Sequence, residues 1–196
     1  MFKKFITAVV VALPLIAGTA MAGKERVRLA VPISNSYDSV EIVTLFGGTI
    51  EEESATGFGL NYIFDSGIGL GYSSTDATLK YSYTLLSSTY KSTTNTSAQF
   101  LDVSYMFGET FTFQVGYGFA VGGSGTEKSE TGSTTTEEKL DVGGNALSFV
   151  LGYAFGSLDI GYEIRREVHD VAYETNTQYN GGIGMTVSRL NLGYVF

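Results

Sequence analysis

The sequence contains no cysteine and no tryptophan, and it has only two prolines. Without cysteine the chain can form no disulfide framework, and no lipid can be attached to a cysteine at a cleavage point. Beyond residue 22 no apolar run approaches the roughly 18 residues that a membrane-spanning helix requires. The chain has instead 13 tyrosines, 13 phenylalanines and 25 glycines, a composition typical of a β-rich chain without helical segments.

The first 22 residues have the layout of a secretory signal peptide. Lys3 and Lys4 precede an apolar run over 5–16, and the small residues at 20–22 suit a cleavage site. We therefore expect residues 1–22 to be removed on export. Loss of the two lysines leaves ten basic residues against 20 acidic ones, so the mature chain has a net charge near −10. That charge argues against nucleic acid and anionic lipid surfaces as partners.

A Tyr-x-Phe phrase recurs along the chain and marks a repeated hairpin. Its four copies begin at 62, 105, 153 and 194, with spacings of 43, 48 and 41 residues. A nearly fixed period indicates a repeated structural unit. The first three copies are each followed by a short turn, at 65–67, 108–109 and 156–157.

Apolar residues alternate with small or polar ones through most of the chain, which is the period of a β-strand. The clearest alternation covers 111–121, where every second residue is aromatic or valine. The phase changes before Leu79, so we predict a bulge within 73–78. It changes again near 188–189, where we predict a bulge inside one long closing strand over 179–196.

The start of the mature chain offers two positions for the first strand. Residues 25–34 alternate, but Pro32 lacks the amide donor that a strand interior needs. We favour residues 40–50 as the first strand, with a loop at 51–54. The predicted organisation is a signal peptide over 1–22, a lead-in segment over 23–38 and one domain over 39–196.

Short turns alternate along the chain with longer polar segments at 87–96, 122–144 and 166–178, which we predict to be solvated loops. Short turns at one end and long loops at the other are the pattern of a barrel in a bacterial outer membrane. Backbone groups cannot stay unpaired in hydrocarbon, so a spanning sheet must close on itself. The predicted fold is an all-β, eight-stranded, antiparallel, up-and-down transmembrane β-barrel with short periplasmic turns and longer extracellular loops. A secreted soluble β-sandwich is the alternative.

The chain resembles the small eight-stranded outer-membrane β-barrels of the OmpA, OmpX and OmpW kind over roughly residues 39–196. The resemblance rests on the leader, the alternation, the loop asymmetry and the closing Leu-Asn-Leu-Gly-Tyr-Val-Phe. It implies a location in the outer membrane of a Gram-negative bacterium and recognition by the barrel-assembly machinery. The residues that it implies as an assembly signal are Leu190, Leu192, Tyr194 and Phe196.

The barrel geometry assigns two sets of side chains. Aromatic rings near the short turns should form a girdle at the periplasmic membrane boundary, where a ring gains from one wet and one apolar side. The girdle residues are Tyr62, Phe64, Tyr105, Phe107, Phe111, Tyr153, Phe155, Tyr194 and Phe196. The polar residues predicted to face the lumen are Asn61, Lys80, Asp102, Gln114, Asp159, Glu163, Arg165, Arg189 and Asn191.

The lumen of an eight-stranded barrel is just wide enough for side chains to fill, so its charges should pair. We expect Glu163 to pair with Arg189, and Asp102 with Arg165, in a plug that fixes the shape of the barrel. Inward glycines such as Gly118 leave volume unfilled, and this keeps a narrow water-filled or ligand-accepting cavity open as an alternative.

Catalytic chemistry has little support in the sequence. The single histidine, His169, falls in a predicted loop above the membrane, and no metal-ligand spacing is present. We expect no metal, no cofactor and no enzymatic activity.

The favoured function is a structural or surface-interaction role through the extracellular loops. The alternatives are a passive pathway for small molecules through the lumen and a lipid-modifying enzyme that uses His169. The expected partners are outer-membrane lipid, lipopolysaccharide and the barrel-assembly machinery. We expect no nucleic-acid binding and a monomeric chain.

Overall fold

The computed structural model of the protein describes residues 24–38, 48–85, 88–174 and 180–196. The predicted signal peptide, residues 1–22, lies outside this part of the chain. Within it, no helix is long and apolar enough to cross a membrane. The described residues form eight strands: β1 (Arg26–Tyr37), β2 (Thr49–Ile63), β3 (Ile68–Leu85), β4 (Ser88–Phe107), β5 (Phe111–Thr131), β6 (Thr134–Phe155), β7 (Leu158–Tyr173) and β8 (Asn180–Val195).

The strands form a closed ring in which each pairs in antiparallel fashion with its neighbours in the sequence. The closing seam joins β1 to β8, from Arg26 opposite Val195 to Tyr37 opposite Met185. Closure pairs the backbone groups that hydrocarbon cannot solvate. The predicted fold class, an eight-stranded antiparallel up-and-down transmembrane β-barrel, is confirmed.

Three short turns lie at one end of the barrel, which we call the turn end; the other end is the open end. Gly67, Gly108 and Gly156 have φ angles of 85°, 81° and 62° in these turns. Positive φ carries little steric cost for glycine, and the turns fall where the sequence predicts them. In a barrel of this kind short turns face the periplasm, so the open end is extracellular.

The first strand is β1, and the preference for residues 40–50 is wrong. Most of that stretch lies outside the described residues, and Thr49 and Ile50 already belong to β2, as does the predicted loop at 51–54. Pro32 is tolerated because the register between β1 and β8 shifts between Pro32 and Ser34. A bulge is one of the few strand positions where a missing amide donor does little harm. The barrel therefore includes much of the predicted lead-in segment.

The loop predictions for 87–96, 122–144 and 166–178 are also wrong over most of their described length, while residue 87 and residues 175–178 lie outside the described residues. These segments extend β4, β5, β6 and β7 beyond the apolar belt, so the β5–β6 hairpin turns only between Thr131 and Thr134. Outside lipid both faces of a strand can be polar, and hydropathy alternation then gives no signal. The backbone hydrogen bonds between neighbouring strands continue through these segments nevertheless.

Neither predicted bulge occurs in the strand where it was placed. Buried residues keep one parity in β3, where Ser73, Thr75, Ala77 and Leu79 all face inward, and likewise in β8. The apolar residues that suggested a change of phase face the upper lumen instead. Among the described residues, register irregularities lie at Pro32 to Ser34 in β1, at Ile50 to Glu52 in β2 and around 120–123 in β5.

The outer face carries a belt of exposed apolar side chains. Leu29, Leu60, Leu70 and Leu192 are between 45 and 52% exposed. An apolar surface that encircles a molecule is unfavourable in water, and it matches the lipid-facing band of a membrane barrel.

Aromatic rings pack in pairs on the outer face near the turn end. The four pairs are edge-on, with centroid distances of 4.9 Å for Tyr62–Phe64, 4.8 Å for Tyr105–Phe107, 4.8 Å for Phe111–Tyr153 and 5.2 Å for Tyr194–Phe196. Phe155, which is 75% exposed, lies beside the same turns. The structure thus places the nine girdle residues together, while the assembly role of the β8 residues stays a prediction.

Candidate functional site: the barrel interior

The interior concentrates buried charge on facing strands. Among the described residues its central part holds four arginines and four carboxylates, so the opposite charges balance. These residues are Arg26, Arg28, Asp102, Asp159, Glu163, Arg165, Glu167 and Arg189. A balanced set is what a low-dielectric interior requires, because an unpaired buried charge is costly.

The structure places eight of the nine predicted lumen residues inside the barrel: Asn61, Asp102, Gln114, Asp159, Glu163, Arg165, Arg189 and Asn191. Lys80 is the exception and the prediction for it is wrong. Because β3 has no bulge, Leu79 faces inward and Lys80 faces outward, where its Nζ lies 3.4 Å from Oε2 of Glu51.

The lower charged cluster, toward the turn end, is centred on Asp159. Its carboxylate accepts hydrogen bonds from Nε and Nη2 of Arg28 at 2.7 and 3.0 Å, and from Nη1 of Arg26 at 3.2 Å. Arg28 also donates to Oε1 of Gln114 at 2.6 Å and to Oγ1 of Thr112 at 2.8 Å. This cluster connects β1, β5 and β7 across the lumen.

The middle cluster is centred on Glu167. Its Oε1 accepts hydrogen bonds from Nε of Arg165 at 2.7 Å and from Nη2 of Arg189 at 2.8 Å. Arg165 also donates to Oδ1 of Asp102 at 2.8 Å, and Arg189 lies 3.9 Å from Glu163. Both predicted ion pairs are therefore present, but Glu167 binds the two arginines more closely than Glu163 binds Arg189.

Inward glycines do not leave the lumen empty, which corrects the expectation of unfilled volume. A Cβ on Gly118 would lie 2.8 Å from Nη2 of Arg165 and closer still to Asp102. A Cβ on Gly152 would lie 2.9 Å from Nη2 of Arg28. The space that these glycines release is occupied by guanidinium groups from facing strands.

A cavity of about 30 Å³ remains between the two clusters. Nη2 of Arg165 and Nε of Arg189 are buried and have no hydrogen-bond partner among the described residues. A space of this size holds about one water molecule, which matches those unused donors.

The expectation that His169 lies in a solvated loop is wrong. Its side chain is fully buried in the lumen, because β7 continues its alternation to Tyr173. Its Nε2 lies 3.2 Å from Oε2 of Glu167, and its Nδ1 lies 3.0 Å from Oγ1 of Thr96. Carboxylate, imidazole and hydroxyl thus follow one another as in a nucleophilic triad, but all three groups are buried.

Two apolar clusters close the lumen above the charges, toward the open end. One contains Phe100 and the other contains Leu79, and Ile183 packs against both. The buried members are Ala98, Phe100, Leu140, Val142, Ala146 and Val171 in the first, and Tyr37, Ala77, Leu79, Met185 and Val187 in the second.

Above the apolar clusters, Glu127 accepts hydrogen bonds from Oγ of Ser92 at 2.9 Å and from the hydroxyl of Tyr173. Burial and the neighbouring Glu127 carboxylate raise the pKa of Tyr173 well above its ordinary value. The tyrosine therefore stays protonated and continues to donate to Glu127.

Sequence reasoning missed several interior residues for identifiable reasons. The sequence-based prediction places Arg26 and Arg28 in the lead-in segment and Glu167 in a loop. The parity of β7 was the available signal, since Glu167 and His169 have the same parity as Glu163. Within residues 24–38, 48–85, 88–174 and 180–196, no group of three His, Cys, Asp or Glu side chains could hold a metal ion.

The closed ring, the apolar belt and the paired charges in the lumen define a small transmembrane β-barrel of the outer-membrane type. No family model matches the chain, and no curated protein matches it.

Solved structures with a similar fold come from several organisms. The N-terminal β-barrel domain of Pseudomonas aeruginosa OprF has 13% identity and a TM-score of 0.45, covering 90% of this chain and 99% of that one. Neisserial surface protein A has 10% identity and a TM-score of 0.45, with 90% and 99% covered. The outer membrane protease OmpT from Escherichia coli has 12% identity and a TM-score of 0.45, with 72% and 64% covered.

Proposed function

We propose that the protein is a closed, non-conducting barrel that acts through its extracellular surface as a structural or surface-interaction protein. The filled lumen carries this proposal. Two ion-pair clusters occupy its lower and middle parts, a cavity of about 30 Å³ separates them, and two apolar clusters lie above. A passive pathway for solutes would need a continuous wet channel through these layers.

The length of the strands supports a role at the surface. A strand needs roughly 9–11 residues to cross a membrane, whereas β4, β5 and β6 have 20, 21 and 22 residues. Half of each strand therefore stands outside the lipid as part of a hydrogen-bonded sheet. Such a wall presents side chains in fixed positions at little entropic cost on binding.

The outermost part of the β5–β6 hairpin can be removed without disturbing the lumen. Leu140 and Val142 pack against the interior and must stay, and so must Glu127 with its partners. Replacing 129–136 by a two-residue Asn-Gly turn would leave Lys128 opposite Glu137 as the last pair. We expect this variant to fold and to lose adherence when bacteria that display it are added to cultured epithelial cells.

The matched control keeps the hairpin and alters an outward-facing site elsewhere, for example the half-buried Thr186 in Thr186→Ala on β8. Folding is checked by resistance of the barrel to detergent at low temperature. Adherence that is the same for the shortened variant, the control and cells lacking the protein would contradict a surface-interaction role.

An enzymatic role is not part of the proposal. The Glu167–His169–Thr96 chain has suitable groups, but the histidine is fully buried and the threonine is buried at the level of the apolar clusters. A substrate would have to displace that packing. We assign these residues to the stability of the lumen instead.

A further inference from the structure

The outer wall has a concave polar surface directly above the apolar belt. It is formed by two rows of short side chains that run across β2, β3, β4 and β5. The lower row is Thr56, Asp76, Ser97 and Ser124, and the upper row is Ser54, Thr78, Asn95 and Thr126. We call this surface the polar trough.

The size of the polar trough fits a small ligand. Its volume is about 380 Å³, and it is open along its outer side, so a ligand would lie along it with one face in solvent. The depression exists because its side chains are short, while longer ones follow in the next row toward the open end. There Lys80 and Lys128 lie on either side of Thr93.

The chemistry of the trough suits a polyhydroxylated ligand. Its lining residues carry hydroxyl, amide and carboxylate groups, which both donate and accept hydrogen bonds. None of these lining residues, all within the described chain, is a lysine or arginine, and Asp76 is negative. Above the trough, Lys80 and Lys128 are paired with Glu51 and Glu130. A phosphate would find a repulsive charge in the trough, whereas a neutral sugar would find partners.

The position of the trough indicates how such a ligand would be presented. Phe58 follows Thr56 toward the membrane by two residues, and Leu101 follows Ser97 by four. Both are about 44% exposed and belong to the apolar belt. A lipid whose acyl chains lie against the belt would carry its headgroup at the height of the trough. Confinement to the membrane raises the effective concentration of that headgroup.

We infer that the polar trough binds the neutral saccharide part of a membrane glycolipid whose acyl chains lie on the adjoining apolar belt. The inference does not depend on the adherence role proposed above, since it concerns lipid contacts of the barrel wall. Hydrogen bonds from two or three trough residues would give about a ten-fold preference for the sugar-bearing lipid.

The absence of cysteine allows a clean test. A single Thr93→Cys at the rim of the trough can carry an environment-sensitive dye, and Thr186→Cys on β8 provides the matched control label. The barrel is kept in a detergent without sugar and titrated with three probes. These are digalactosyl diacylglycerol, which has a neutral sugar headgroup, the same lipid stripped of its sugars, and the soluble digalactose saccharide.

We expect the dye at residue 93, and not the dye at residue 186, to respond to the sugar-bearing lipid at about ten-fold lower concentration than to the stripped lipid. Ser97→Trp fills the trough and should abolish that preference, while Thr186→Trp should leave it unchanged. Asn95→Ala, which adds no bulk, should weaken binding several-fold.

Three results would overturn the inference. Equal binding of the stripped lipid would mean that the belt alone holds the ligand. Equal binding of the soluble saccharide would mean that the site takes a free sugar. An unchanged preference in folded Ser97→Trp and Asn95→Ala barrels would place the contact elsewhere.

Discussion

Arg28 binds Asp159 in a two-point ion pair that is shut off from solvent, with Nε and Nη2 at 2.7 and 3.0 Å from the two carboxylate oxygens. Arg28 lies on β1 and Asp159 on β7, and both strands pair with β8. The contact therefore ties together the three strands at which the barrel closes. Its two-point geometry is the strongest form of a charged hydrogen bond in proteins.

Removal of the carboxylate should weaken the barrel considerably. Asp159→Ala leaves the guanidinium groups of Arg26 and Arg28 buried without their counter-charge. We expect a loss of about 3–5 kcal/mol in the free energy of unfolding, measured by denaturant titration in lipid vesicles. Asp170→Ala on the same strand is the control, because Asp170 faces outward and is exposed. Similar losses for the two variants would show that the buried ion pair contributes no more to the free energy of unfolding than an exposed carboxylate does.

Gly118 should be intolerant of a side chain. In Gly118→Ala the new Cβ would lie closer to side-chain atoms of Asp102 and Arg165 than van der Waals contact allows. We expect a loss of about 1–3 kcal/mol in the free energy of unfolding, as for other overpacked interiors. Gly143→Ala, whose Cβ would meet nothing within 4 Å, is the matched control. A fully stable Gly118→Ala barrel would mean that the glycine does not make room for the ion pair.

The buried imidazole should be fixed in one tautomer. The ionised carboxylate of Glu167 can only accept, so Nε2 of His169 carries a proton, and in the neutral ring Nδ1 accepts from the hydroxyl of Thr96. Because His169 is the only histidine, nitrogen NMR of labelled protein gives a single pair of ring signals. We expect the chemical shifts of the Nε2–H tautomer in wild type. In Glu167→Gln we expect a mixture of the two tautomers. A Nδ1–H pattern in wild type would contradict this hydrogen-bond chain.

The fold could be predicted because lipid enforces a simple rule. Where a strand crosses the membrane its outer face must be apolar, so alternation locates β2, β5 and β7 from sequence. The rule fails for β1 because a proline inside a run of residues argues against a strand, and only the structure shows the register shift beside Pro32 that accommodates it. It also fails outside the belt, where hydrogen bonding to neighbouring strands rather than hydropathy maintains the sheet.

The interior was harder to predict because inward positions in the upper lumen carry apolar residues, whereas those nearer the turn end carry charged and polar ones. If apolar residues are expected only on the outer face, Leu79, Met185 and Val187 indicate a changed phase, but all three are buried in the lumen. They are inward and apolar because the lumen is closed there by packing. The same assumption leads to the wrong prediction that Lys80 faces the lumen. If side chains are taken to alternate strictly between the lumen and the outer face through β3 and β8, the predicted faces are correct.

Electrical recording from the purified barrel in a planar lipid bilayer tests the central claim most directly. Since ion pairs and apolar side chains fill the lumen, the account predicts no discrete conductance steps from folded wild-type protein. Insertion is verified separately by protease protection of the barrel. Reproducible single-channel steps from the inserted, folded protein would contradict a closed lumen.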